Sequence, residues 1–141
     1  MPLTFAAARL ISPREIEEFE ASHGIRLPAA YRQFLSSVGA GPAFIDRFGL
    51  GIEFHAPAEL REFSSAVFTN AGPDPFPRIL FFCSLTSRGD FGALDLRSET
   101  DSFAVFSHEE NPSAWADAAR WSSFAAWVIQ LVDSLGESDL P

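Results

Sequence analysis

The apolar positions of this chain change period twice, and the changes mark out its elements. From Ser12 they fall at helical spacing: Ile16, Phe19 and His23 share one side, with Glu17, Glu18 and Glu20 facing water. Ser12-Pro13-Arg14-Glu15 reads as a capping box, with serine at the N-cap, proline in the first turn and glutamate three residues on. Gly24 supplies a left-handed stop, over which Ile25 folds back. A second helix starts at Leu27-Pro28, places Tyr31, Phe34, Leu35 and Val38 on one stripe and ends at Gly39. Gly39-Ala40-Gly41-Pro42 then turns the chain sharply.

Beyond this turn the period shortens to two. Phe44 to Phe48 and Leu50 to Phe54 read as strands separated by Gly49, the second alternating Leu50, Ile52 and Phe54 with Gly51 and Glu53. Pro57 to Phe63 predicts a short helix, and Pro73, Pro75 and Pro77 confine residues 69–77 to a loop or extended arm. Ile79 to Cys83 is apolar on both faces and predicts a central strand. Phe91 to Leu96 and Phe103 to Phe106 complete an antiparallel meander, joined by a turn at residues 86–90 and a polar loop at 97–102. The helical period then returns. Phe124, Trp127, Val128, Leu131, Val132 and Leu135 form one stripe, capped by Ser122 or Ser123 and stopped by Gly136, with Trp115 and Trp121 expected to pack beneath it. The order predicts an α+β fold, with a mainly antiparallel sheet flanked by N-terminal and C-terminal helices.

Length and composition narrow the class. The 141 residues suit one domain, 1–141, and the 15 phenylalanines and 3 tryptophans can fill its core. The apolar runs are too short to span a membrane, and Arg9 stands on the wrong side of an apolar stretch for a signal peptide. A single cysteine excludes an internal disulfide framework and a cysteine-based zinc cage, and fits a reducing compartment, the cytoplasm. Ten basic residues, all arginine, against 19 acids give a net charge of −9, which disfavours direct nucleic-acid binding. The charge is uneven: residues 1–40 are neutral, whereas Ser98 onward holds eight acids and one arginine, a field suited to steering a basic partner.

No reaction centre is legible. Cys83 lies in the most apolar strand, where a thiol is inert. His23, His55 and His108 are isolated from one another, and His108-Glu109-Glu110-Asn111-Pro112 puts proline where a zinc metalloprotease motif needs its second histidine. The chain has no Gly-x-Ser-x-Gly elbow, no complete dinucleotide glycine loop and, lacking lysine, no Walker-type phosphate loop. Asp90 and Asp95 read as a turn residue and an outward strand position rather than an acid/base pair. The residues thus predict no metal and no cofactor. Two function classes stay open: a protein-binding module, or an enzyme with a scattered active site.

Five segments in order carry a resemblance. They are Ile16-Glu17-Glu18-Phe19-Glu20, Gly24-Ile25-Arg26-Leu27-Pro28 running into Tyr31-Arg32-Gln33-Phe34-Leu35, Gly89-Asp90 with Ala93-Leu94-Asp95-Leu96, Val105-Phe106-Ser107-His108-Glu109, and Ser123-Phe124-Ala125-Ala126-Trp127. Together they resemble the SMI1/KNR4 (SUKH) superfamily over roughly Ser12 to Leu135. Val38-Gly39-Ala40-Gly41 departs from the Asn-Gly-Gly common there, and the proline-rich arm has no counterpart. The resemblance implies an α+β fold and, for bacterial members, an immunity protein that binds and neutralises a cognate secreted toxin, often a nuclease. Fungal members are similar to non-catalytic regulatory scaffolds. For an immunity protein the partner is a basic protein toxin. The acids expected to meet it are Asp95, Glu99, Asp101, Glu109 and Glu110, in loops or at strand ends, where an acidic surface can stand in for phosphate.

Overall fold

The computed structural model describes residues 9–44, 50–69, 72–86, 89–97, 101–109, 115 and 120–134. Its elements run α1 (Pro13–His23), α2 (Ala29–Ser37), β1 (Gly41–Ala43), β2 (Ile52–Phe54), α3 (Pro57–Phe68), β3 (Ile79–Leu85), β4 (Asp90–Asp95), β5 (Ser102–Phe106), β6 (Ser122–Ser123) and α4 (Phe124–Asp133). The six strands form one antiparallel sheet in chain order, so the expected meander and the α+β arrangement are what is observed.

Several elements form for the reasons the sequence suggests. Ser12 Oγ accepts from the Glu15 N–H at 3.2 Å, Pro13 opens α1, and Gly24 closes it in the left-handed region at φ 63°. Only half of the expected capping box is made, because the Glu15 carboxylate turns to Arg9, at 3.0 and 3.3 Å. The stretch at Gly39 is a turn that runs straight into pairing: Gly39 has φ 98°, and Gly41–Ala43 pairs with Ile52–Phe54. A Cβ on Gly39 would stand 2.3 Å from the Arg9 carbonyl oxygen, so the missing side chain lets Arg9 and Ala40 exchange backbone hydrogen bonds. The strand expected at Phe44 to Phe48 is not seen at its first residue, which takes φ 53°; residues 45–49 lie outside the described residues. The helix expected at Pro57 to Phe63 continues to Phe68. Buried Ser64 donates to Asp74 at 2.6 Å, and the same carboxylate accepts from Arg61 and from the Phe76 N–H, tying the proline-rich arm to α3.

The sheet is covered on both faces, and β3 shows how. Leu80 and Phe82 face one cluster, with Ile16, Phe19, Tyr31, Phe34, Phe103, Phe124 and Trp127, while Ile79 and Phe81 face a second, with Phe68, Ala93, Phe106 and Trp115. A bulge between Phe81 and Cys83 shifts the alternation by one, so Cys83 and Leu85 join the first cluster. Trp115 and Trp121 belong to the second cluster, across the sheet from α4, rather than beneath that helix as expected. The reason lies in β6: Ser122 and Ser123 pair with Phe103 and Ser102, so the chain crosses the sheet margin between Trp121 and Phe124. On α4, Phe124, Trp127 and Leu131 are buried, but Val132 is 53 % exposed, and Leu135 and Gly136 lie outside the described residues.

Candidate functional site

The β4–β5 hairpin divides the acids expected to meet a partner between its two ends. Phe91 pairs with Phe106 and Leu94 with Phe103. Asp95 and Asp101 therefore flank the point where β4 gives way to β5, and Glu109 stands beyond the far end of β5. The five residues of β5 put roughly 17 Å between them. Glu99 and Glu110 lie outside the described residues.

At the first end both carboxylates are already engaged. Asp95 is 7 % exposed and grips Arg97 in a fork, Nε to Oδ1 at 2.8 Å and Nη2 to Oδ2 at 3.0 Å, while Oδ1 also accepts the Arg97 N–H at 3.0 Å. The Arg97 guanidinium holds the Asp95 carboxyl below the usual carboxylate range, against the opposing effect of burial. Asp101 Oδ2 accepts from Ser123 Oγ at 3.2 Å and from the Ala125 N–H at 3.1 Å, and its carbonyl accepts from the Phe124 N–H. It thereby satisfies donors that the first turn of α4 leaves free, beside Ser123, whose hydroxyl accepts from the Ala126 N–H.

At the other end, Asp90 accepts from the His108 N–H at 3.2 Å and faces His108 Nδ1 at 3.1 Å. Gly89 lies beneath that ring, where an added Cβ would come within 3.5 Å of Nδ1. The Gly-Asp and His-Glu segments of the sequence are thus two halves of one clasp across β4 and β5. Asp90 bonds across the hairpin rather than only within its own turn. The clasp leaves Glu109 exposed, its N–H donating to Ser107 Oγ.

Sequence spacing missed a third polar group, because its members come from three elements. His55, after β2, lies within 3.2 Å of Ser84 Oγ on β3 and packs against Phe63 of α3, the rings tilted by 31° with centroids 4.0 Å apart. Burial lowers the His55 pKa, partly offset by the negative charge of Glu59. Burial, reinforced by the same Glu59, raises that of Glu53, which sits opposite Ser84 in the β2–β3 register. Cys83 is fully buried. No three His, Cys, Asp or Glu side chains come together as a metal site among the described residues, and no helix among them is long and apolar enough to cross a membrane.

Arg97–Asp95 bonds and the Asp101 bonds to α4 hold one end of the hairpin, and the His108–Asp90 contact holds the other. The sequence model of the SMI1/KNR4 family (SUKH-1) matches residues 10–130, from just before α1 into α4. The chain belongs to the SMI1/KNR4 family. It is also 32 % identical over 130 residues to Immunity protein RhsIB of Dickeya dadantii (strain 3937), covering 92 % of this chain and 78 % of that protein. No solved structure matches it significantly. The matched span of this SMI1/KNR4 chain takes in both hairpin ends, including the Asp90–His108 clasp and Asp101.

Proposed function

We propose that this protein is an immunity protein, which binds and neutralises a cognate secreted toxin of the polymorphic type. The observation that carries this reading is the likeness to Immunity protein RhsIB along nearly the whole chain. The net charge of −9 supports a basic toxin as partner, a nuclease being the class whose phosphate-binding surface such acidity best complements. Inhibition by binding asks for no catalysis from this chain.

The proposed contact surface is the acidic one named from the sequence: Asp95, Glu99, Asp101, Glu109 and Glu110. The geometry supports different roles within it. Glu109 is free to reach a partner, while Asp95 and Asp101 hold the opposite turn and the start of α4 in shape. The test is to co-express the chain with the C-terminal toxin domain of a large secreted protein encoded beside its gene. Restored growth and a stoichiometric complex on size exclusion are expected. Undiminished killing with no complex would sink the proposal.

A further inference from the structure

We propose that the cavity between the α1–α2 turn and the ends of β3 and β4 binds a small organic phosphate. The cavity holds about 650 Å³, within the range of roughly 300–1,000 Å³ typical of small-molecule sites. Arg26, Arg32 and Arg78 line it, with Ile25, Pro77 and Leu96 as apolar wall.

The arginines are what single this cavity out. Of the eight arginines among the described residues, Arg9, Arg14, Arg61 and Arg97 pair with carboxylates. The other four form no ion pair among the described residues, and three of those four line this one cavity. In a chain with nearly twice as many acids as bases, unpaired arginines gathered in one place are the reverse of what the average composition favours. Arg32 sharpens the point. Its Nε is buried and has no hydrogen-bond partner, although Glu17 and Glu20 line the adjoining groove with it. Glu20 is turned to the Leu27 N–H at 2.7 Å instead. A buried donor without an acceptor costs free energy, and among the described residues no carboxylate beside Arg32 offsets its charge where the side chain lines the cavity.

The backbone adds to the same field. Ala29, the first residue of α2, lines the cavity, and Pro28 at the N-cap offers no side-chain acceptor to the helix's first N–H groups. Guanidinium forks match phosphate oxygens, and three of them balance a dianion better than a single carboxylate charge. The apolar wall then takes the body of the ligand, which makes a phosphate ester a better fit than free phosphate. This goes beyond the immunity reading and stands or falls without it.

Isothermal titration with adenosine monophosphate, adenosine and inorganic phosphate tests the assignment, with a polyglutamate peptide as a fourth probe. Saturable binding of the monophosphate is expected, weaker binding of inorganic phosphate and none of adenosine. Arg26 and Arg78 are exposed, so Arg26→Gln/Arg78→Gln keeps its fold, checked by its unfolding midpoint, and should bind the monophosphate at least about tenfold more weakly. Arg120→Gln, at an exposed arginine outside the cavity lining, should bind as the parent does. The proposal is overturned if the monophosphate does not bind, if adenosine binds equally well, or if the double variant binds like the parent. Binding of polyglutamate alone would also overturn it, in favour of an acidic peptide.

Discussion

Gly92 faces Cys83 across the β3–β4 pair, and the fit leaves no room for a methyl group. A Cβ there would stand 2.4 Å from Cys83 Sγ and 3.0 Å from a ring carbon of Phe103. Gly92→Ala should therefore lower stability by roughly 1–3 kcal/mol through overpacking. Adding Cys83→Ala removes the sulfur and should restore part of the loss, a coupling that a double-mutant cycle of denaturation midpoints measures directly. Asp95 makes a prediction in pH. Its carboxyl is held below the unfolded value of about 3.9, so its contribution is complete above that pH and fades as acid protonates the folded form. Asp95→Asn should cost roughly 1–3 kcal/mol at neutral pH, and the gap to the parent should narrow as the pH falls below about 3.9. A gap that stays constant as the pH falls below that value would show that the Asp95 charge does not stabilise the fold through Arg97.

Among the elements, α4 is where burial and periodicity can be separated. Trp127 is 1 % exposed and stacks on Phe103 with ring centroids 4.2 Å apart, so Trp127→Ala should cost about 3–5 kcal/mol. Val132 lies on the same sequence stripe but faces outward, and Val132→Ser should change stability by no more than about 0.5 kcal/mol. Equal losses in chemical denaturation would put both residues in the core. The helices were legible because their signals are local: a serine cap, a glycine stop, a one-sided stripe. The sheet order was legible because a meander pairs neighbours in sequence. What was not legible depends on partners far along the chain. Nothing near Trp115 or Trp121 announces that the backbone crosses the sheet margin at β6. Nothing in Phe82-Cys83 announces the bulge that lets a cysteine and a phenylalanine share one face. Nor does the loop composition around Asp101 show that its carboxylate will be spent on the start of α4. The acids were found by type and position, whereas their engagement is set by the tertiary structure.

At the scale of the molecule the net charge of −9 gives a kinetic prediction for the proposed complex. Association with a basic toxin should be fast at low ionic strength and slow markedly as salt rises. Glu109→Arg/Glu110→Arg should keep the fold and lose affinity mainly through slower association. Glu17→Arg/Glu18→Arg, on the exposed side of α1, should bind nearly as the parent does in stopped-flow measurements. A control that loses binding while the hairpin variant keeps it would move the interface to the other face. The two margins of the sheet bear on how any protein can approach. At one, Pro42 has no N–H to offer and Arg9 already occupies Ala40. At the other, β6 is two serines long before the chain bends into α4. Among the described residues the two outermost strands, β1 and β6, are three and two residues long, which gives a foreign strand little to zip on to. A partner that reads side chains instead can have its recognition rewritten by point substitutions on the surface while the sheet beneath stays as it is.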